Sequence, residues 1–298
     1  MIVVSTPGTA LADALGEPPA GSRLIRWDVD GPAPEENIDI VVMPYMRAAD
    51  KFPWLDGVNI RLVQSQSIGY DGIRLPAGHV LANASSVHET STAELTLALT
   101  LAAQRGIPDF VRAAEKGEWK PDRYPSLADR TVLLIGYGGV GQAIEERLAP
   151  FEVNVIRVAR IAREGIHGFH ELQELLPQAD IVIIGVPLTD ETARMVDAAF
   201  LAAMPDGALL VNIARGPVVD TDALLAEVTS GRLRAALDVT DPEPLPEGHP
   251  LFALPNVLIS PHVGGATSAM LPRMARLLRT QIERMRDGEE ALNVVLRS

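Results

Sequence analysis

The chain has 298 residues, 47% apolar and 22% charged, with a formal net charge of −13 and no cysteine. That length supports two domains with substantial cores, and the acidic balance argues against nucleic acid and anionic membranes as partners. Without cysteine, disulfides and thiolate chemistry are excluded, which suits a cytoplasmic protein. The opening MIVVSTPG lacks a basic n-region, and no stretch approaches the roughly 18 apolar residues of a spanning helix. Neither a secretion signal nor a membrane span is expected.

In chain order, the first third reads as short strands at 2–5, 38–43, 60–64 and 80–82, separated by turn-rich clusters such as GEPPAGS and DGPAPEEN. It predicts a small α/β unit. From about Ser91 to Arg105 a helix rich in Ala, Leu and Thr is nearly apolar all round, which predicts burial between domains or subunits. From Thr131 strands and crossovers alternate, with strands at 131–135, 153–158, 181–186, 209–212, 235–239 and 257–260. Apolar strands joined by crossovers predict a parallel sheet covered on both faces, in the doubly wound order 3-2-1-4-5-6. After Ser268, SAMLPRMARLLRTQIERMRDG carries apolar residues at helical spacing and stops at Gly288. Because it follows the last strand, it must leave that sheet. The expected architecture is therefore α/β with two Rossmann-like doubly wound domains of parallel sheet. Residues 1–90 with 268–298 form the smaller, discontinuous one, and residues 91–267, helix included, form the larger one.

The segment TVLLIGYGGVG, Thr131 to Gly141, breaks an apolar strand into Gly136, Gly138 and Gly141 and runs on into the helical QAIEERLAPF. This is the strand–turn–helix opening of a dinucleotide-binding βαβ unit. One glycine makes the tight turn, one lets the backbone approach a pyrophosphate, and one allows close helix–strand packing. The helix N-terminus then offers N–H groups and partial positive charge to the phosphates.

Ligands in such sheets bind beyond the carboxyl ends of the strands. After the predicted fourth, fifth and sixth strands come Asn212-Ile213-Ala214-Arg215-Gly216-Pro217, Asp238-Val239-Thr240-Asp241-Pro242-Glu243-Pro244 and Ser260-Pro261-His262-Val263-Gly264-Gly265. Singly, an arginine at a strand end reads as a surface ion pair, a glutamate among prolines as surface, and a lone histidine as structural. Together, at three successive strand ends, they point to chemistry.

The blocks GYGGVG, ADIVIIGVPLTDETARMV, GALLVNIARGPVVDTDALL, ALDVTDPEPLP and PNVLISPHVGG, in that order, resemble the D-2-hydroxyacid dehydrogenases. SQSIGYDGI is similar to that family's substrate-binding loop, and TAELTLALTLA to its interdomain helix. The resemblance covers nearly the whole chain, but glyoxylate/hydroxypyruvate reductases, phosphoglycerate dehydrogenases and D-lactate dehydrogenases share these blocks. The chain ends soon after the last helix, so the regulatory domain of many phosphoglycerate dehydrogenases is not expected. The resemblance implies cofactor contacts at Gly136, Gly138, Gly139, Val140, Gly141, Val186, Pro187, Ile213, Ala214, Asp238, His262, Gly264 and Gly265. It also implies D-stereospecificity, domain closure over the cleft, and a homodimer built on about Ser91–Tyr124.

Reducing a 2-keto acid requires a hydride from the nicotinamide to C2 and a proton on the carbonyl oxygen. His262 is the expected general acid/base, because imidazole titrates near neutrality. Glu243 is expected to hydrogen-bond the other ring nitrogen. Arg215 offers a planar fork for the substrate carboxylate and its carbonyl. Backbone N–H groups at Ser67, Ile68 and Gly69 are expected to hold the carboxylate, with Tyr45 and Met46 shaping the pocket. NAD-binding units carry an acidic residue about 20 positions past the glycine turn. Here VNVIRV ends in Ala159-Arg160-Ile161-Ala162-Arg163, so Ala159 stands at the acidic position. Guanidinium groups bind phosphate bidentately. NADP(H) is therefore the expected cofactor, with Arg160 the principal contact and Arg163 a secondary one, and NAD(H) the alternative.

Of the remaining histidines, His167 and His170 are expected at the surface, His79 as structural, His249 as exposed, and His88 as a lesser candidate for the cleft. No metal site is expected. The rival readings are an NAD-dependent phosphoglycerate-, formate- or phosphite-type dehydrogenase, a non-enzymatic nicotinamide sensor, and a glycine-turn methyltransferase. A sensor would turn over no 2-keto acid, and a methyltransferase would need none of the three strand-end groups.

Overall fold

The computed structural model describes residues 1–46 and 49–298, and the chain divides into two units, Met1–His88 with Gly265–Ser298 and Glu89–Gly264. The first unit opens with β1 (Ile2–Thr6), α1 (Ala10–Leu15), β2 (Ser22–Arg26), β3 (Asn37–Val42), β4 (Asn59–Gln64) and β5 (Val80–Ala82). These strands are parallel, in the order β5-β4-β3-β1-β2. Strand alternation sends Ile40, Val42 and Leu62 to one face and Val41, Val63 and Leu81 to the other, and both faces are buried.

The second unit holds α2 (Glu89–Gln104), α3 (Ile107–Glu115), β6 (Thr131–Ile135), α4 (Gly139–Leu148), β7 (Asn154–Ala159), β8 (His167–Gly168) and α5 (Leu172–Leu175). It continues through β9 (Ile181–Ile184), α6 (Ala198–Ala203), β10 (Leu209–Asn212), α7 (Thr221–Thr229), β11 (Arg234–Leu237) and β12 (Val257–Ile259). All seven strands run parallel in the order β8-β7-β6-β9-β10-β11-β12. The order reverses between β6 and β9, which fixes the crevice at the carboxyl ends of those two strands. Val132, Leu134, Ile183 and Val211 pack against one helix layer, in which Ala93 and Leu97 of α2 and Ile144 of α4 are buried. Leu133, Ile135, Val182, Ile184 and Leu210 pack against the other, with Phe200 and Leu224. Burying each of these Val, Leu, Ile and Phe side chains contributes about 1.5–3 kcal/mol.

The sheet has seven strands rather than the six expected. The extra one, β8, is a two-residue edge strand at His167–Gly168, too short to show any alternation. Asn212, Leu237 and Ile259 therefore end the fifth, sixth and seventh strands of the sheet, not the fourth to sixth. The chain then returns to the first unit through α8 (Met270–Arg286), whose Met274, Leu278 and Ile282 cover the Ile40–Leu62 face, and β13 (Val294–Arg297), an antiparallel edge strand beside β5. Among the described residues, no helix is long and apolar enough to cross a membrane.

Candidate active site

The glycine turn sits where β6 hands over to α4. A Cβ on Gly136, which has φ of +108°, would lie 2.4 Å from the Gly185 carbonyl oxygen, and one on Gly141 would lie 2.2 Å from the Gly136 oxygen. Neither position tolerates a side chain. Around Gly138 a Cβ would meet nothing within 4 Å, so this backbone is open to an approaching group. With the amides of Gly139, Val140 and Gly141 forming the first turn of α4, the residues present fit a dinucleotide pyrophosphate. Gly185, Val186 and Pro187 follow β9 on the other side of the switch point. The Ile213 side chain approaches Gly185, and Pro187 accepts from the Thr192 hydroxyl at 2.6 Å.

The three strand-end loops follow neighbouring strands, since Asn212 pairs with Leu237 and Leu237 with Ile259. Buried Asn212 shapes the first loop: its Oδ1 accepts from Ala214 N (3.0 Å) and its Nδ2 donates to the Arg215 carbonyl (3.1 Å). The Arg215 guanidinium is half-buried and its Nη1 donates to the Ala214 carbonyl at 2.8 Å. A Cβ on Gly216 would lie 1.8 Å from the Thr240 carbonyl oxygen, so only glycine lets this loop press against the one carrying Glu243.

His262 Nδ1–H donates to Glu243 Oε1 at 2.6 Å, which leaves Nε2 for another partner. The backbone of His262 is left-handed, with φ of +53°, a conformation that costs a non-glycine residue about 1 kcal/mol or more. Asp238 holds it there. Its carbonyl accepts from His262 N (2.8 Å), its Oδ1 from Ser260 Oγ (2.6 Å) and Val263 N (2.9 Å), and its Oδ2 from Gly264 N (2.9 Å). Asp238, expected from the resemblance as a cofactor contact, thus also supports the histidine loop, together with Ser260; the only hint of that support in the sequence is a strand-end Asp facing a Ser-Pro-His.

The other candidates are distributed as follows. Gly264 packs on Thr92 and Asp238 within the second unit, whereas Gly265 belongs to the first, where a Cβ on it would meet His88 Nδ1 at 2.6 Å. In the Ser67–Gly69 segment, Ser67 N already donates to Ser65 Oγ (3.0 Å), and the Ser67 and Ile68 carbonyls accept from Ala84 N (3.0 Å) and Asn83 Nδ2 (2.8 Å). The Ser67 amide expected to serve a carboxylate is thus engaged within its own loop. Arg160 is exposed and makes no hydrogen bond or ion pair among the described residues, while Arg163 Nη2 donates to the Tyr137 carbonyl at 3.1 Å.

His88 is buried, donates through Nε2 to the Gln66 carbonyl at 2.6 Å and stacks on Tyr45. His79 is buried against the Pro76 and Ala77 carbonyls, His249 is half-buried, and His167 pairs with Glu171 at 2.7 Å. No group of three potential metal ligands occurs among the described residues.

Residues 97–264 match the D-isomer specific 2-hydroxyacid dehydrogenase, NAD binding domain family. A glyoxylate reductase of Thermofilum pendens is 36% identical over 248 residues, covering 78% of this chain and 73% of that protein. The glyoxylate reductase/hydroxypyruvate reductase of Homo sapiens is 32% identical over 273 residues, 83% of each chain. A D-isomer specific 2-hydroxyacid dehydrogenase from Xanthobacter autotrophicus Py2, solved with NADPH and MES, superposes with a TM-score of 0.81 at 29% identity over 99% of this chain and 98% of its own. Glycine turn, strand-end residues and relatives agree: this chain belongs to the D-isomer-specific 2-hydroxyacid dehydrogenases, oxidoreductases that work with a nicotinamide cofactor.

Proposed function

We propose that this enzyme is an NADP(H)-preferring reductase of small 2-keto acids of the glyoxylate and hydroxypyruvate class, yielding the D-2-hydroxy acid where C2 becomes chiral. The observation that carries the reading is the His262–Glu243 pair at 2.6 Å, with the ring's second nitrogen left over, at the end of a strand two places from the one that delivers Arg215. The nicotinamide, when bound, supplies the hydride for C2. His262 Nε2–H gives the carbonyl oxygen its proton, and Glu243 keeps the ring in the tautomer and orientation that allow it. Arg215 holds the substrate carboxylate and polarises the neighbouring carbonyl. The amides of Ile68 and Gly69 are the remaining carboxylate donors of their segment.

The cofactor preference is supported by the end of β7. Ala159 stands where a carboxylate would repel a 2′-phosphate, and the unengaged Arg160 follows it. The glyoxylate reductase names of the relatives support the substrate class.

Purified enzyme with NADPH, NADH and a panel of glyoxylate, hydroxypyruvate, pyruvate and formate tests the proposal through nicotinamide absorbance. Expected are turnover of the 2-keto acids with NADPH favoured, and a loss in kcat of about 10²–10⁴-fold in His262→Asn, the range for a missing general acid. Arg160→Ala should lower kcat/KM for NADPH by about tenfold and leave that for NADH nearly unchanged. Wild type that reduces no 2-keto acid overturns the function, and wild type that favours NADH overturns the cofactor preference.

A further inference from the structure

Tyr137 stands between the first two glycines of the turn, and its two polar ends are both occupied. Its hydroxyl donates to Glu145 Oε2 on the second turn of α4. The same carboxylate is gripped by Arg157 of β7, with Nε on Oε2 at 2.8 Å and Nη2 on Oε1. The Arg157 guanidinium carbon also lies 5.8 Å from the centre of the Tyr137 ring. At its other end, the Tyr137 carbonyl receives Arg163 Nη2 at 3.1 Å. Turn, helix, strand and the loop after the strand thus meet in one chain of contacts.

The charges sort themselves within this group. Arg157, Arg160 and Arg163 lie on seven consecutive residues at the end of β7. Arg157 is spent on Glu145 in a two-pronged, part-buried pair, the geometry that makes a guanidinium–carboxylate contact specific. That pair leaves Arg160 and Arg163 to face an anion, and it pins the residue from which Arg163 hangs. An arginine held in place by a carbonyl has lost part of its rotamer freedom before a ligand arrives, so less is lost on binding.

We propose that Tyr137, Glu145 and Arg157 are positioning residues for cofactor discrimination: they immobilise Tyr137, and through its carbonyl they hold the Arg163 guanidinium where a ribose 2′-phosphate is recognised. Glu145 acts on the selectivity of the enzyme for its cofactor without touching it. The inference rests on the NADP(H) reading above and adds to it three residues that the glycines of the turn do not by themselves single out.

Equilibrium titration of NADPH and NADH, followed by nucleotide fluorescence, tests it on wild type, Tyr137→Phe, Glu145→Gln, Arg163→Met and the Glu145→Gln/Arg163→Met double variant, with Tm recorded for each. Glu145→Gln and Arg163→Met should each raise the Kd for NADPH by about tenfold, the loss expected for one charge-assisted hydrogen bond, and that for NADH by much less. Tyr137→Phe, which removes only a hydroxyl, should move in the same direction by a smaller factor. The double variant should bind NADPH no more weakly than Arg163→Met alone, because the carboxylate acts through that arginine. Unchanged Kd values in Glu145→Gln and Tyr137→Phe, whatever happens to Tm, would reduce the trio to a strut between α4 and β7 and overturn the proposal, as would losses that add in the double variant. The wild-type ratio of the two Kd values judges the cofactor preference on its own, so the two ideas can fail separately.

Discussion

At the scale of single residues, Asp238 determines where His262 can be. Its buried carboxylate accepts three hydrogen bonds, from Ser260 Oγ, Val263 N and Gly264 N, and its carbonyl takes the amide of His262 itself. A loop tied at four points can keep one non-glycine residue left-handed; a loop tied at fewer can relax. Asp238→Asn replaces one acceptor oxygen with a donor that faces an N–H or the serine hydroxyl, leaving a buried polar group unpaired at a cost of about 1–3 kcal/mol. We expect a lower Tm and a kcat reduced by about tenfold or more, since each 1.4 kcal/mol of lost transition-state positioning is a factor of ten. Steady-state kinetics beside thermal melts check this: a variant that loses Tm but keeps wild-type kcat would show that the loop does not position the histidine. Arg215, Glu243 and His262, the residues proposed for the chemistry, can be picked out of the sequence because their chemistry is written in residue type and each follows a recognisable strand. The part played by Asp238 was not, because an aspartate's identity does not say which backbone amides its carboxylate will find. The engaged amide of Ser67 was hidden for the same reason.

At the scale of elements, α4 and β7 are joined by the Glu145–Arg157 pair, and pH should expose its contribution. The hydrogen bonds from Arg157 hold the Glu145 carboxyl below its ordinary value of 4.5, burial opposes them, and the Tyr137 hydroxyl adds to them. A carboxyl depressed on folding adds stability that is fully present above about pH 4.5 and is lost as the pH falls through its folded-state value. Wild type should therefore melt above Glu145→Gln at neutral pH, and the gap should close as the pH is taken below 4.5. A gap that stays constant through the acid range would mean the pair contributes nothing through its charge. The element order of the second unit was largely readable, because parallel strands buried on both faces are apolar runs between crossovers. What escaped was at the sheet edges: β2 is half-exposed and carries two arginines, β8 has two residues, and β13 pairs antiparallel with β5 across more than two hundred residues. Edge strands bury too little to leave a periodic pattern, and a pairing so distant leaves no local trace at all.

At the scale of the whole molecule, the exposed apolar surface asks for a partner, and we expect it to be a second copy. Helix α3 leaves Ile107 47%, Phe110 38% and Val111 52% exposed, and Trp119 just beyond it is 96% exposed. Ile107 and Phe110 line a groove with Ala98, Leu101 and Ala102 of α2 and with Arg105 just beyond it. Tyr124 braces the segment, with its hydroxyl on Asp109 Oδ2 at 2.9 Å and its ring edge-on to Phe110. Contiguous apolar patches of this kind mark association sites, and the patch lies within the stretch, about 91–124, that the family resemblance assigns to dimerisation. Each copy carries a net charge of −13, so two copies repel and the apolar contact must overcome that repulsion. Salt screens the repulsion without weakening apolar burial. Dimerisation should therefore tighten as salt is raised from low to physiological ionic strength, the reverse of an assembly held by surface ion pairs. Val111→Glu should give a monomer with an unchanged fold, because that side chain is already exposed in the single chain. Light scattering coupled to size-exclusion chromatography across a salt series decides it. A wild type monomeric at micromolar concentration, or a Val111→Glu variant still dimeric, would rule out this face as the interface, and a dimer that dissociates with salt would assign the association to charge instead.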